Sequence, residues 1–133
     1  MDIINDDNCF VCGMKNPIGL KANFTVDKDK KTAQCLISIP DHFQGWKGIV
    51  HGGIIATLLD EAIAYSCAAV TDTGLTAEMS VRYIQVVPVN CLLEITGEII
   101  EAGRRLIKAK STIKLDDKIL AEATGTVIIK GKL

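Results

Sequence analysis

Residues 51–70 read His51-Gly52-Gly53-Ile54-Ile55-Ala56-Thr57-Leu58-Leu59-Asp60-Glu61-Ala62-Ile63-Ala64-Tyr65-Ser66-Cys67-Ala68-Ala69-Val70. From Ile54 onward the stretch has no proline or glycine and outlasts a typical strand, so its spacing predicts a helix. Apolar residues cover nearly every face of it, which predicts burial on most sides rather than a surface position. Thr57 and Ser66 interrupt the run, but a hydroxyl inside a helix can bond back to a carbonyl one turn earlier.

The flanking sequence supplies the layer that buries it. Leu20, Ala22, Phe24 and Val26 alternate with polar residues, and Asp27-Lys28-Asp29-Lys30 turns the chain into Ala33, Cys35, Ile37 and Ile39. This reads as two antiparallel strands. After the helix, Leu75, Ala77, Met79, Val81 and Tyr83 are expected on one face of a strand and Thr76, Glu78, Ser80 and Arg82 on the other. Three more strands follow, around Cys91 to Ile99, Ile107 to Leu115 and Ile119 to Ile129, with Glu94, Glu98, Lys108, Lys110 and Glu122 on their opposite faces. Six strands apolar on one face predict an antiparallel sheet covered on one side, with the helix as the cover. Small residues at Ala77, Gly97, Ala109, Ala123 and Gly125 point to strong curvature around that helix. The expectation is one α+β domain over residues 1–133, with a lead-in at 1–19, a central helix at 51–70 and a strongly curved six-stranded antiparallel sheet wrapped around it.

Composition narrows the function classes. The chain has 133 residues, 48% of them apolar and only 5% aromatic, so the core is aliphatic. A net charge of -1 with interspersed signs provides no field for nucleic acid. The acidic start Met1-Asp2-Ile3-Ile4-Asn5-Asp6-Asp7 lacks the blocks of a secretory signal, and no apolar run reaches membrane-spanning length. Of five cysteines, Cys35, Cys67 and Cys91 lie in apolar segments where a free thiol acts as a small hydrophobe. A cytoplasmic protein is expected.

Chemistry gathers on the helix. Gly52 and Gly53 leave uncovered N–H groups at its positive end, an arrangement suited to an oxyanion; easing the helix into a crowded core is the competing reading. Asp60, seven residues after Gly53, returns to nearly the same face roughly 10 Å along the axis. An acid on an apolar helix is costly unless something bonds to it; exposure beside Glu61 is the plainer account. Glu61 points about 80° away and ranks second as a base. His51 could fix the loop through a backbone hydrogen bond or touch a substrate carbonyl. Cys9-Phe10-Val11-Cys12 is a lone C-x-x-C without a second ligand pair, read as structural, with metal or redox use as the alternative. No metal set emerges, and nucleophile-elbow, P-loop and dinucleotide motifs are absent.

These residues carry a family resemblance. Ile49-Val50-His51-Gly52-Gly53, continued by Leu58-Leu59-Asp60-Glu61-Ala62 and by Thr76 through Val81-Arg82-Tyr83 to Pro88, resembles the hotdog-fold acyl-CoA thioesterases of the phenylacetate-degradation (PaaI-like) type. Cys9-Phe10-Val11-Cys12-Gly13 with Asn16-Pro17-Ile18-Gly19-Leu20 resembles a lead-in of some members. The resemblance implies a homodimer whose sheets join edge to edge, often a homotetramer, with active sites at subunit interfaces. It implies Asp60 as the catalytic aspartate, Gly53 as the carbonyl-polarising glycine and His51 as the motif histidine. It implies Thr76 as the hydroxyl residue that reaches the partner's site, and the strand reading, which places Thr76 away from its own helix, agrees.

The expected reaction is hydrolysis of an acyl-CoA thioester to free acid and CoA, with Asp60 as general base or nucleophile and Gly53 N–H on the carbonyl oxygen. No cofactor is implied, coenzyme A being part of the substrate; acyl carrier protein is the other candidate thiol carrier. Gly52, Glu61, Met79 and Trp46 are candidate substrate contacts; Phe43, Trp46, Met79 and Tyr83 are the candidates to line the acyl pocket, with anchoring of the loop to the core an equally good explanation. A rival class is a hotdog domain that binds or senses acyl thioesters without cleaving them; the retained Asp60 and the lack of a DNA-reading segment weigh against it.

Overall fold

A computed structural model describes residues 2–130. Its strands are β1 (Thr25–Asp27), β2 (Thr32–Ser38), β3 (Gly74–Tyr83), β4 (Leu92–Ala102), β5 (Leu106–Leu115) and β6 (Lys118–Ile129), with one α-helix, α1 (Gly52–Cys67), between β2 and β3. The strands form a single sheet in the order β1-β2-β4-β5-β6-β3, every neighbouring pair antiparallel. Because β2 lies near one edge and β3 forms the other, α1 carries the chain across the sheet and packs on β2 through β6. No helix among the described residues is long and apolar enough to cross a membrane.

Leu58, Leu59, Ala62 and Ile63 of α1 are fully buried against Leu93, Ile95, Ile107, Ala109, Ile113, Ala121 and Val127 of the sheet. The small sheet residues allow the close approach. A β-carbon added at Gly97 would sit 2.1 Å from the Ala62 carbonyl oxygen, and one at Gly125 would sit 3.0 Å from Ile63 Cδ1. The hydroxyls inside the core are satisfied: Ser66 Oγ donates to the Ile63 carbonyl at 2.7 Å and Ser111 Oγ to the Leu59 carbonyl at 2.9 Å. Thr57 Oγ1 likewise bonds back to the Gly53 carbonyl at 2.8 Å, as the sequence predicts.

Four features depart from the sequence reading. First, the ladder of β1 is short. Leu20, Ala22 and Phe24 are buried as their alternation predicts, but Leu20 and Ala22 donate to the Phe10 and Val11 carbonyls of the lead-in rather than to a sheet neighbour. Second, the helix is shorter than 51–70. His51 is its N-cap, and Ala68, Ala69 and Val70 tighten into successive bonds to the third residue back.

Third, the helix keeps one side uncovered in a single chain. Gly53 and Ala64 are exposed, and Thr57 and Asp60 between them are only half-buried. These positions recur at helical spacing, so they form one continuous stripe along α1.

Fourth, β3 contains a bulge. Thr76 pairs with Val127 but Glu78 pairs with Thr126, leaving Ala77 as an extra residue. One extra residue exchanges the two faces of a strand. Thr76 therefore shares the face of buried Val127 and looks toward α1, whereas Met79 resumes the inward set opposite Gly125.

Candidate active site

The bulge corrects the placement of Thr76. Its Oγ1 donates to Asp60 Oδ1 at 2.7 Å within the same chain. Strict alternation turns this hydroxyl away from its own helix; the inserted Ala77 turns it back. Asp60 is thereby held by a short hydrogen bond on the uncovered stripe of α1, beside the free edge of β3.

The helix mouth is built differently from the acid. His51 caps α1: its carbonyl accepts from the Ile54 and Ile55 N–H groups at 2.9 and 3.1 Å, and its Nδ1 accepts from the Gly53 N–H at 2.9 Å. An accepting Nδ1 requires a neutral imidazole carrying its proton on Nε2. Of the two glycine donors, Gly53 is thus engaged by His51, while the Gly52 N–H has no acceptor among the described residues. Tyr83 Oη donates to the Gly52 carbonyl at 2.9 Å and closes the other side of the mouth.

In front of this mouth lies an open cleft of about 910 Å³, lined by His51, Gly52, Ile55, Trp46, Tyr83 and Val86 among others. Trp46 is 82% exposed and Val86 65%, so the cleft presents apolar surface to solvent. Phe43 is half-buried and meets Phe10 edge-on, centroids 6.4 Å apart, so it anchors the loop. Among the sequence candidates, His51, Gly52, Trp46 and Tyr83 meet in the cleft. Met79 and Glu61 are not among its lining residues, nor is Asp60. Tyr83, a sequence candidate for the acyl pocket, also joins β3 to the helix mouth.

Glu61 turns to the lead-in. Its Oε1 lies 3.8 Å from Cys9 Sγ, and ligand atoms of Cys9, Cys12 and Glu61 all fall within 4.8 Å of one another. Burial raises the Glu61 carboxyl above its ordinary range, and the neighbouring Asp60 charge adds to the rise. The Cys12 thiol is pushed up to about 12, chiefly by burial and then by Glu61. Burial also raises the Tyr65 phenol, which adjoins Cys12 one turn after Glu61.

A model of the thioesterase superfamily matches residues 47–123, from the loop before α1 into β6. The chain belongs to the thioesterase superfamily. Acyl-coenzyme A thioesterase THEM4 from Bos taurus is 29% identical over 121 residues, which cover 90% of this thioesterase-superfamily chain and 50% of THEM4. The chain thus spans about half the length of the curated relatives it matches. Among solved structures, the thioesterase superfamily protein RHA08564 superposes with a TM-score of 0.84 at 25% identity, over 92% of this chain and 60% of that one. A variant of the phenylacetic acid degradation protein PaaI from Thermus thermophilus superposes with a TM-score of 0.76 at 18% identity, over 84% of this chain and 95% of its own. The curved sheet around one helix is the hotdog fold, as the sequence resemblance implies.

Proposed function

We propose that this chain hydrolyses acyl-CoA thioesters to free acid and CoA, with Asp60 as general base or nucleophile. The observation that carries the proposal is the Thr76–Asp60 hydrogen bond at 2.7 Å on an uncovered helix stripe. Donation to Oδ1 fixes the carboxyl group in place and leaves Oδ2 to a water or to the thioester carbon. Membership of the thioesterase superfamily and the likeness to an acyl-coenzyme A thioesterase support this substrate class.

The second half of the site is assigned to another copy. Gly53 and Asp60 lie roughly 10 Å apart along one helix, too far for one reacting carbonyl to meet both. β3 is a free edge, and joining two such edges about a twofold axis sets the uncovered stripes of two helices side by side in opposite directions. The mouth of one helix then approaches Asp60 of the other. Gly52 N–H would polarise the carbonyl as it stands, and Gly53 N–H once the carbonyl displaces the His51 ring; one such donor contributes about 2.7–4 kcal/mol to the transition state. Trp46, Tyr83 and Val86 in the cleft are suited to the acyl group.

The test is thiol release from a panel of acyl-CoAs varied in chain length and aromatic character, with Asp60→Asn as control. Hydrolysis abolished by Asp60→Asn in a folded protein supports the proposal. Binding without thiol release, or full activity in Asp60→Asn, overturns it.

A further inference from the structure

We propose that Cys9, Cys12 and Glu61 form a binding site for a thiophilic divalent cation of the zinc class, clipping the N-terminal lead-in to α1. The sequence offered only a lone C-x-x-C, so the third donor comes from the fold. Three protein donors, two sulfurs and a carboxylate oxygen, converge within 4.8 Å.

The dimensions suit a tetrahedral ion. With metal–sulfur distances of about 2.3 Å and metal–oxygen distances of about 2.0–2.2 Å, tetrahedral angles require sulfur–oxygen separations of about 3.5 Å. The Cys9 Sγ to Glu61 Oε1 separation is 3.8 Å, within a few tenths of an ångström of that value, and the remaining donor pairs lie within 4.8 Å. Two thiolates with one carboxylate favour zinc-class ions over magnesium or calcium, which select oxygen donors. The fourth position falls to solvent, since all three donors are only partly buried.

The lead-in is shaped around the sulfurs. The Val11 N–H points at Cys9 Sγ at 3.4 Å, the kind of outer bond that favours a thiolate ligand. The Gly13 N–H donates to the Cys9 carbonyl at 2.9 Å, closing the loop so tightly that a β-carbon at Gly13 would lie 2.3 Å from Cys9 N. Glu61 forms no ion pair among the described residues, where the two ion pairs are Arg82–Glu122 and Lys110–Glu98. Lys21, just after the lead-in, is committed to the Met14 and Asn16 carbonyls. A half-buried carboxylate beside two sulfurs and without a cationic partner is a donor set suited to a cation. A Cys9–Cys12 disulfide would leave that carboxylate unexplained.

Each thiol releases its proton to solvent on binding, and no electron is transferred. The test titrates reduced, metal-stripped full chain with Co²⁺ and then Zn²⁺. Expected are a sulfur-to-cobalt charge-transfer absorption saturating at about one equivalent, its displacement by Zn²⁺, and Zn²⁺ protection of Cys9 and Cys12, but not Cys91, from alkylation mapped by mass. Glu61→Gln is expected to weaken Zn²⁺ at least about tenfold, since even outer-shell losses cost that much. Lack of stoichiometric binding, unchanged alkylation of Cys9 and Cys12 in the wild-type chain, or equal affinity in Glu61→Gln each overturns the proposal.

Discussion

Thr76 Oγ1 donates to Asp60 Oδ1 at 2.7 Å across the seam between β3 and α1. The bond exists because Ala77 is an inserted bulge residue, so a backbone irregularity places the candidate acid's partner. Hydrogen bonds to charged groups are worth about 1.5–3 kcal/mol, so Thr76→Val should lower kcat about tenfold to a hundredfold. Thr76→Ser should recover most of it, and Asp60→Asn should cost about 10²–10⁴. Steady-state thiol release checks all three. Equal kcat in Thr76→Val and the wild type would remove Thr76 from the site.

If the helix mouth and Asp60 serve one reaction from two chains, activity depends on association. Specific activity should fall on dilution below the dimer dissociation constant and recover on concentration, tracking the dimer fraction from sedimentation. A specific activity independent of that fraction would place the whole reaction in one chain.

His51 closes the N-terminus of α1 with its own ring. His51→Ala should cost about 0.5–2 kcal/mol in urea unfolding, whereas His51→Asn, a good cap, should retain most of the stability. Comparing the two separates capping from contact with substrate: loss of activity in a fully stable His51→Asn assigns the imidazole a role beyond the cap.

Gly97 permits contact between sheet and helix. A methyl there would overlap the Ala62 carbonyl at 2.1 Å, so either α1 or β4 must move. Gly97→Ala should destabilise by about 1–3 kcal/mol or more, read from the urea midpoint. An unchanged midpoint would mean that the helix sits farther from the sheet.

Burial raises the Cys35 and Cys67 thiols above their ordinary value of 9.0. The native chain keeps protons that the unfolded chain gives up first. The associated stability is complete below the ordinary thiol range and is lost as pH climbs through the raised folded values. Unfolding free energy should therefore decline on the alkaline side of about pH 9, and Cys35→Ala should flatten that decline while lowering stability at neutral pH. An identical alkaline slope in Cys35→Ala would show that Cys35 does not contribute.

The sequence alone determined the layers. A helix apolar on nearly all sides needs a cover, strands apolar on one face need a filling, and small residues such as Gly97 and Gly125 show where the two approach. These are local periodicities, readable along the chain. The Gly52-Gly53 mouth and the acid at Asp60 were legible for the same reason, because helical spacing carries their geometry. Only the tertiary structure decided which groups meet across distance. One bulge reversed the face of Thr76, and no periodicity announces an inserted residue that both neighbours could tolerate. The turn of Glu61 toward Cys9 and Cys12 joins positions about fifty residues apart, and that pairing depends on how the lead-in lies against α1. The uncovered stripe from Gly53 to Ala64 likewise appears only once the sheet's reach is known: apolar composition says that a surface will be covered, not which chain covers it.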